Sequence, residues 1–149
     1  MVIKNVKPKG WIWNPTKLVL DETTIYDTGK NGVNFKSPDG LFEIRDGVAY
    51  AYPGIEWDGT TAVPDGGQDP NKPGFPISWK ASLFHDLGCK YVRESEVFRQ
   101  YYTRADWNRY FYNLLVSVKF KLAWLYYLGV SFFGTFIVWK TWIKSTWRR

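Results

Sequence analysis

Hydrophobic and polar positions follow two different periods along this chain, and the change falls near Ser78. Before it, "LFEIRDGVAYAY" (41–52) sets two short strand-like runs on either side of Asp46-Gly47. Asp-Gly readily takes the positive φ angles of a tight turn, so a hairpin is expected there. "DTGKNGVNF" and "KSPDGLF" read as further turns, and residues 1–52 are therefore predicted to form antiparallel β-hairpins. After Ser78, Ala81, Phe84, His85 and Gly88 share one face at helical spacing, with Ser78 placed as N-cap. That spacing turns His85 toward the packed side and Asp86 to its flank, and Gly88 predicts that the helix stops near residue 91. A second helix starts at "TRADWNRYFYNLLVSVKF". Thr103 and Asp106 form a T-x-x-D cap, and Trp107, Tyr110, Phe111, Leu114, Leu115 and Val118 follow on a single face.

Two stretches carry neither period. Residues 53–78 hold five Pro and five Gly and read as a long loop, the kind that is functional or disordered inside a domain. The loop contains Glu56, Asp58, Asp65 and Asp69, carboxylates suited to a hard cation such as Ca²⁺ or to plain solvation. Residues 122–139 form an eighteen-residue run without a charge, bracketed by Lys119 and Lys121 before it and Lys140 and Lys144 after it. As a helix it would extend roughly 27 Å, just short of a bilayer core. A buried or interfacial helix and a membrane span both remain open. The basic residues beyond it oppose a tail-anchored orientation. The whole reads as one α+β domain over 1–149, with a β-rich part (1–52), a loop (53–78) and a helical part (79–149).

Charge changes this picture. Residues 1–79 carry 8 basic and 10 acidic side chains and residues 80–149 carry 12 and 4, so a −2 half precedes a +8 half. Aromatic residues reach 19%, with nine Trp. A basic, Trp-rich half suits phosphates, whether of lipid head groups or of nucleic acid. One cysteine, Cys89, excludes an internal disulfide and fits a reducing compartment. It reads as a buried, inert thiol, since nothing in the sequence marks an oxyanion hole beside it. The start, "MVIKNVKPKGWIWNP", lacks the apolar core of a signal peptide. No Walker loop, dinucleotide fingerprint or zinc spacing occurs, and no G-x-S-x-G elbow marks a serine nucleophile.

The remaining chemistry centres on the single histidine. A His on one helix can act as general base on water if a carboxylate on a second, antiparallel helix accepts its other ring N–H and fixes the tautomer. Asp106 is the candidate orienter. Asp86 and Asp58 are candidate Ca²⁺ ligands, the cation then polarising an ester carbonyl. The plainer alternatives are a structural histidine and an Asp106 that only caps its helix.

At these residues the chain resembles a family of small uncharacterised proteins encoded by tailed bacteriophages and prophages. Their loop, H-D-x-x-Y helix, A-D-x-x-F helix and aromatic ending correspond here to "WDGTTAVP" (57–64), "ASLFHDLGC" (81–89), "RADWNRYF" (104–111) and "YLGVSFFG" (127–134). The succession spans about residues 41–139. More distantly, the same order is similar to secreted phospholipase A2 of the prokaryotic type. Cys89 stands where both patterns carry Tyr, and the disulfides of secreted phospholipases have no counterpart. The resemblance implies a phospholipase-A2-like helical core with a long aromatic C-terminal helix. It implies His85 as base, Asp106 as its orienter, and Asp86 with Asp58 as calcium ligands.

Three functions are expected from this. The first is a phage protein, made in the bacterial cytoplasm and virion- or host-membrane-associated, that hydrolyses phospholipid esters with Ca²⁺. The second is a non-enzymatic tail, neck or capsid-associated protein, packing through its Trp-rich C-terminus on other phage structural proteins or in a membrane, in symmetric copies. The third, nucleic-acid binding, draws only on the basic half.

Overall fold

The computed structural model describes residues 18–57, 69–72 and 75–131. The chain is α+β: two antiparallel sheets precede a set of helices. A two-stranded sheet pairs β1 (Leu18–Val19) with β6 (Glu56–Trp57), Leu18 opposite Trp57. The larger sheet has the order β2-β5-β4-β3, from β2 (Thr24–Asp27), β3 (Phe35–Lys36), β4 (Phe42–Arg45) and β5 (Val48–Ala51).

The expected Asp46-Gly47 hairpin is the β4–β5 turn. Asp46 at φ 48° and Gly47 at φ 78° give the two consecutive left-handed residues such a turn needs. Strand alternation then selects the buried face. Phe42 and Ile44 on β4 lie opposite Ala51 and Ala49 on β5, and all four are at most 1% exposed. Pairing large residues with alanines leaves room above the sheet for helix side chains. Phe42 stacks on Tyr91 at 5.5 Å and meets Phe98 and Trp107 edge-on. These aromatic contacts join sheet and helices into one core.

Within the predicted loop, β6 is an addition. Ile55 and Trp57 alternate with exposed Glu56 and bury against β1, a period-two signal too short to read against the surrounding Gly and Pro. Asp69 is buried too, accepting from the Trp79 indole N–H at 2.7 Å and from the Asn71 N–H at 2.9 Å. It pins the loop to the start of the next helix. Asp58 and Asp65 lie outside the described residues.

Helix α1 runs Trp79–Glu94, past the expected stop. Ser78 occupies the N-cap position, yet its side chain makes no capping hydrogen bond to the helix. Gly88 does not end α1; it lets α3 approach. A Cβ at position 88 would overlap the Trp107 indole, so the missing side chain is filled by the neighbour's ring. A single-turn helix, α2 (Glu96–Arg99), capped by the Ser95 hydroxyl, reverses the chain. Helix α3 (Arg104–Ser117) starts with the expected capping box between Thr103 and Asp106 and buries Trp107, Tyr110, Phe111, Leu114 and Leu115 as read from the spacing. Residues 123–131 are helical, and residues 132–139 of the uncharged run lie outside the described residues.

Candidate functional site

His85 and Asp86 project from the middle of α1. The His85 side chain is 12% exposed and that of Asp86 45%, the packed and flanking positions that helical spacing requires. The ring reaches α3, but its partner there is Asn108 and not Asp106. His85 Nε2 lies 2.7 Å from Asn108 Oδ1. A carboxamide oxygen only accepts, so Nε2 carries the proton and Nδ1 turns toward Asp86, whose Oδ1 is 3.9 Å away.

The expected His85–Asp106 pairing is therefore corrected, and helix geometry supplies the reason. Successive residues turn about 100°, so positions two apart point to nearly opposite sides. With Asn108 facing α1, Asp106 faces the β2–β3 loop. Its Oδ2 accepts from the Thr103 N–H at 2.8 Å and from Lys30 Nζ at 3.0 Å, and its Oδ1 accepts from Arg109 at 3.2 Å. Lys30 also donates to the Tyr101 carbonyl. Burial raises the Asp106 pKa, but the Thr103 N–H and the Lys30 ammonium outweigh that and hold it below the usual carboxylate value. Asp106 acts here as a cap and an ion-pair partner.

Asn108 is the residue the sequence reading missed. The available signal was its position three and seven residues before Phe111 and Leu115, which makes it a polar residue on a buried stripe. A buried amide needs a partner, and the one histidine of the chain supplies it.

Cys89 lies one turn after His85, with Sγ 3.6 Å from the same Nε2. It is partly exposed and not fully buried as expected. Burial pulls the His85 pKa down, but Asp86, Cys89 and Asn108 outweigh it and raise it to about 10. At neutral pH the ring is an imidazolium.

These side chains open onto a cleft of about 680 Å³ between α1, the start of α3 and the β6 region. Glu56, Trp57, Lys90, Arg93 and Arg104 line it together with His85, Asp86 and Cys89. Of the two calcium ligands implied by the resemblance, Asp86 is at the cleft and Asp58 is outside the described residues. Among the described residues no three His, Cys, Asp or Glu side chains gather into a metal-binding group. The described donors alone do not fit a calcium ion, which needs six or more oxygens.

A second surface lies near the end of the described chain. Val116, Leu122, Trp124, Leu125 and Leu128 are all exposed, Trp124 by 56%, and the neighbouring Lys119 and Lys121 are exposed too. No helix among the described residues is long and apolar enough to cross a membrane. No protein-family model, curated protein or solved structure matches this chain.

Proposed function

We propose that this chain is a bacteriophage protein with a phospholipase-A2-like helical core, virion-associated and acting at or near the host membrane, where it hydrolyses phospholipid esters. The observation that carries the reading is the His85–Asn108 hydrogen bond between α1 and α3, with His85 and Asp86 both lining the cleft. In this reading Asn108 takes the orienting part that the resemblance assigned to Asp106. The Asn108 oxygen holds Nε2–H and leaves Nδ1 to exchange a proton with water in the cleft. Deprotonated at Nδ1, His85 takes a proton from water as the water oxygen attacks the ester carbonyl. The imidazolium then returns the proton to the departing alkoxide.

The pKa of about 10 sets a condition on this chemistry. His85 is a base only when neutral, so turnover is expected to rise from pH 7 toward pH 10. The exposed apolar residues around Trp124, flanked by Lys119 and Lys121, fit an anionic lipid surface, because aromatic and basic side chains together favour the bilayer interface.

The second reading is a non-enzymatic structural role in the phage particle. It is favoured by the saturation of Asp106, which serves the capping box and Lys30. The apolar residues near Trp124 then pack on other phage proteins.

One experiment separates the two. Fatty-acid release from labelled anionic vesicles is followed between pH 7 and 10.5, with Ca²⁺ or chelator, for wild type, His85→Asn and Asn108→Ala. Release that climbs with pH and disappears in His85→Asn supports the hydrolase. Absence of release from folded wild type at every pH leaves the structural role.

A further inference from the structure

Among the buried side-chain polar atoms of the described residues, three have no hydrogen-bond partner: Arg104 Nε, Trp107 Nε1 and the Tyr110 hydroxyl. The last two belong to core residues, whereas Arg104 lines the cleft. A buried guanidinium N–H without an acceptor is costly, more so for a charged donor. The nearest carboxylate along the chain, Asp106, points to the other side of α3 and is engaged by Thr103, Lys30 and Arg109. Arg104 and Asn108 are four residues apart and share the face toward α1. The cleft thus receives a guanidinium beside the His85 pair.

Other charges in the cleft do not supply the missing acceptor to Arg104 Nε. Lys90 and Arg93 add two more cations from α1. Asp39 holds its own turn, with Oδ1 accepting from the Ser37 hydroxyl at 2.6 Å and the Leu41 N–H at 3.0 Å. Asp86 faces His85, and Glu56 is the third carboxylate of the lining. Ile55, Trp57 and Leu87 make an apolar wall.

We infer that the cleft binds the phosphate group of a small phosphate ester, with Arg104 as the principal donor, Lys90 and Arg93 as supporting charges, and the ester's apolar portion against Ile55, Trp57 and Leu87. The planar fork of arginine suits phosphate oxygens. A lipid head group and a nucleotide both carry this chemistry. Binding requires no turnover, so the inference stands or falls separately from hydrolysis.

The test uses the full chain at low salt and reads the ring resonances of its single histidine by NMR. Inorganic phosphate, a monomeric short-chain phosphatidic acid and a nucleoside monophosphate are titrated in turn. The expected result is a saturable shift with phosphate, weakened about tenfold or more in Arg104→Gln, as loss of a charge-assisted hydrogen bond implies. Tighter binding of the phosphatidic acid names a lipid, and tighter binding of the nucleotide names a nucleotide. Arg104→Lys keeps the charge but lacks the planar fork; it is expected to bind more weakly than wild type, and it decides the matter if the Gln variant does not fold. No saturable shift in wild type with any of the three probes, or equal affinity in folded Arg104→Gln or Arg104→Lys, overturns the inference.

Discussion

The first two turns of α3 carry two polar clusters on opposite sides of one helix, and they are finished differently. On one side Asp106 collects the Thr103 N–H, Lys30 and Arg109, so both carboxylate oxygens are engaged within the protein. On the other side Asn108 binds His85, while Arg104 Nε has no acceptor and the adjoining space is an open cleft. The first arrangement closes a helix end and ties it to the β2–β3 loop. The second leaves a buried donor without a partner at the edge of a space large enough for a ligand. The lesson is that a carboxylate next to a histidine in a sequence pattern is a weaker guide to function than which face of the helix is left unsatisfied.

The strongest way to break the comparison is to push the two helices apart. Gly88→Ala places a methyl group inside the Trp107 ring, and both belong to the packed α1–α3 contact. Overpacking of this kind costs about 1–3 kcal/mol, enough to lower Tm by roughly 3–12 °C in a chain of this size. Thermal unfolding followed by circular dichroism measures it, and an unchanged Tm would show that α1 and α3 are not held this closely.

Next in size is the pair Asn108→Ala and Asp106→Ala. Asn108→Ala strips a buried imidazole donor of its acceptor, at about 1–3 kcal/mol, and disturbs His85. Asp106→Ala removes half of a capping box and two ion pairs, about 1 kcal/mol, and leaves His85 alone. Urea denaturation gives both values. A larger loss for Asp106→Ala would reverse the ranking of the two clusters.

The clusters also answer pH in opposite directions. The His85 pKa is raised by folding from 6.5 to about 10. Its contribution to stability is fully present below pH 6.5 and is lost as pH rises through about 10. The Asp106 pKa is lowered by folding, so its contribution is present above the unfolded carboxylate pKa of about 3.9 and is lost as pH falls through the folded value. Stability of wild type relative to His85→Gln is expected to shrink from pH 6 to pH 10, and relative to Asp106→Asn from pH 6 to pH 3. Lys30→Met is the mildest change, below about 1 kcal/mol, because Lys30 is partly exposed.

Much of this architecture was legible in the sequence because it rests on local rules. The Asp46-Gly47 turn, the Thr103–Asp106 box and the α3 stripe are each decided within a few residues. What was not legible depends on contacts across the chain. Gly88 reads as a helix stop until Trp107 is seen against it, and β6 is invisible without β1 beside it. The candidate site divided in the same way. The orientation of His85 and Asp86 followed from the period of α1, while the choice between Asp106 and Asn108 depended on how α3 is rotated against it. A cap signal marks where a helix starts, and the same residue cannot then face the neighbouring helix two positions from the residue that does.

The most direct test is the NMR titration of the imidazole of His85, the one histidine in the chain, whose signals need no further assignment. It is followed from pH 5 to 11 in wild type, Asn108→Ala and Asp106→Asn. The account predicts a midpoint of about 10 in wild type, lowered in Asn108→Ala and unchanged in Asp106→Asn. A wild-type midpoint near the ordinary value of 6.5, or one that moves with Asp106 and ignores Asn108, would contradict it.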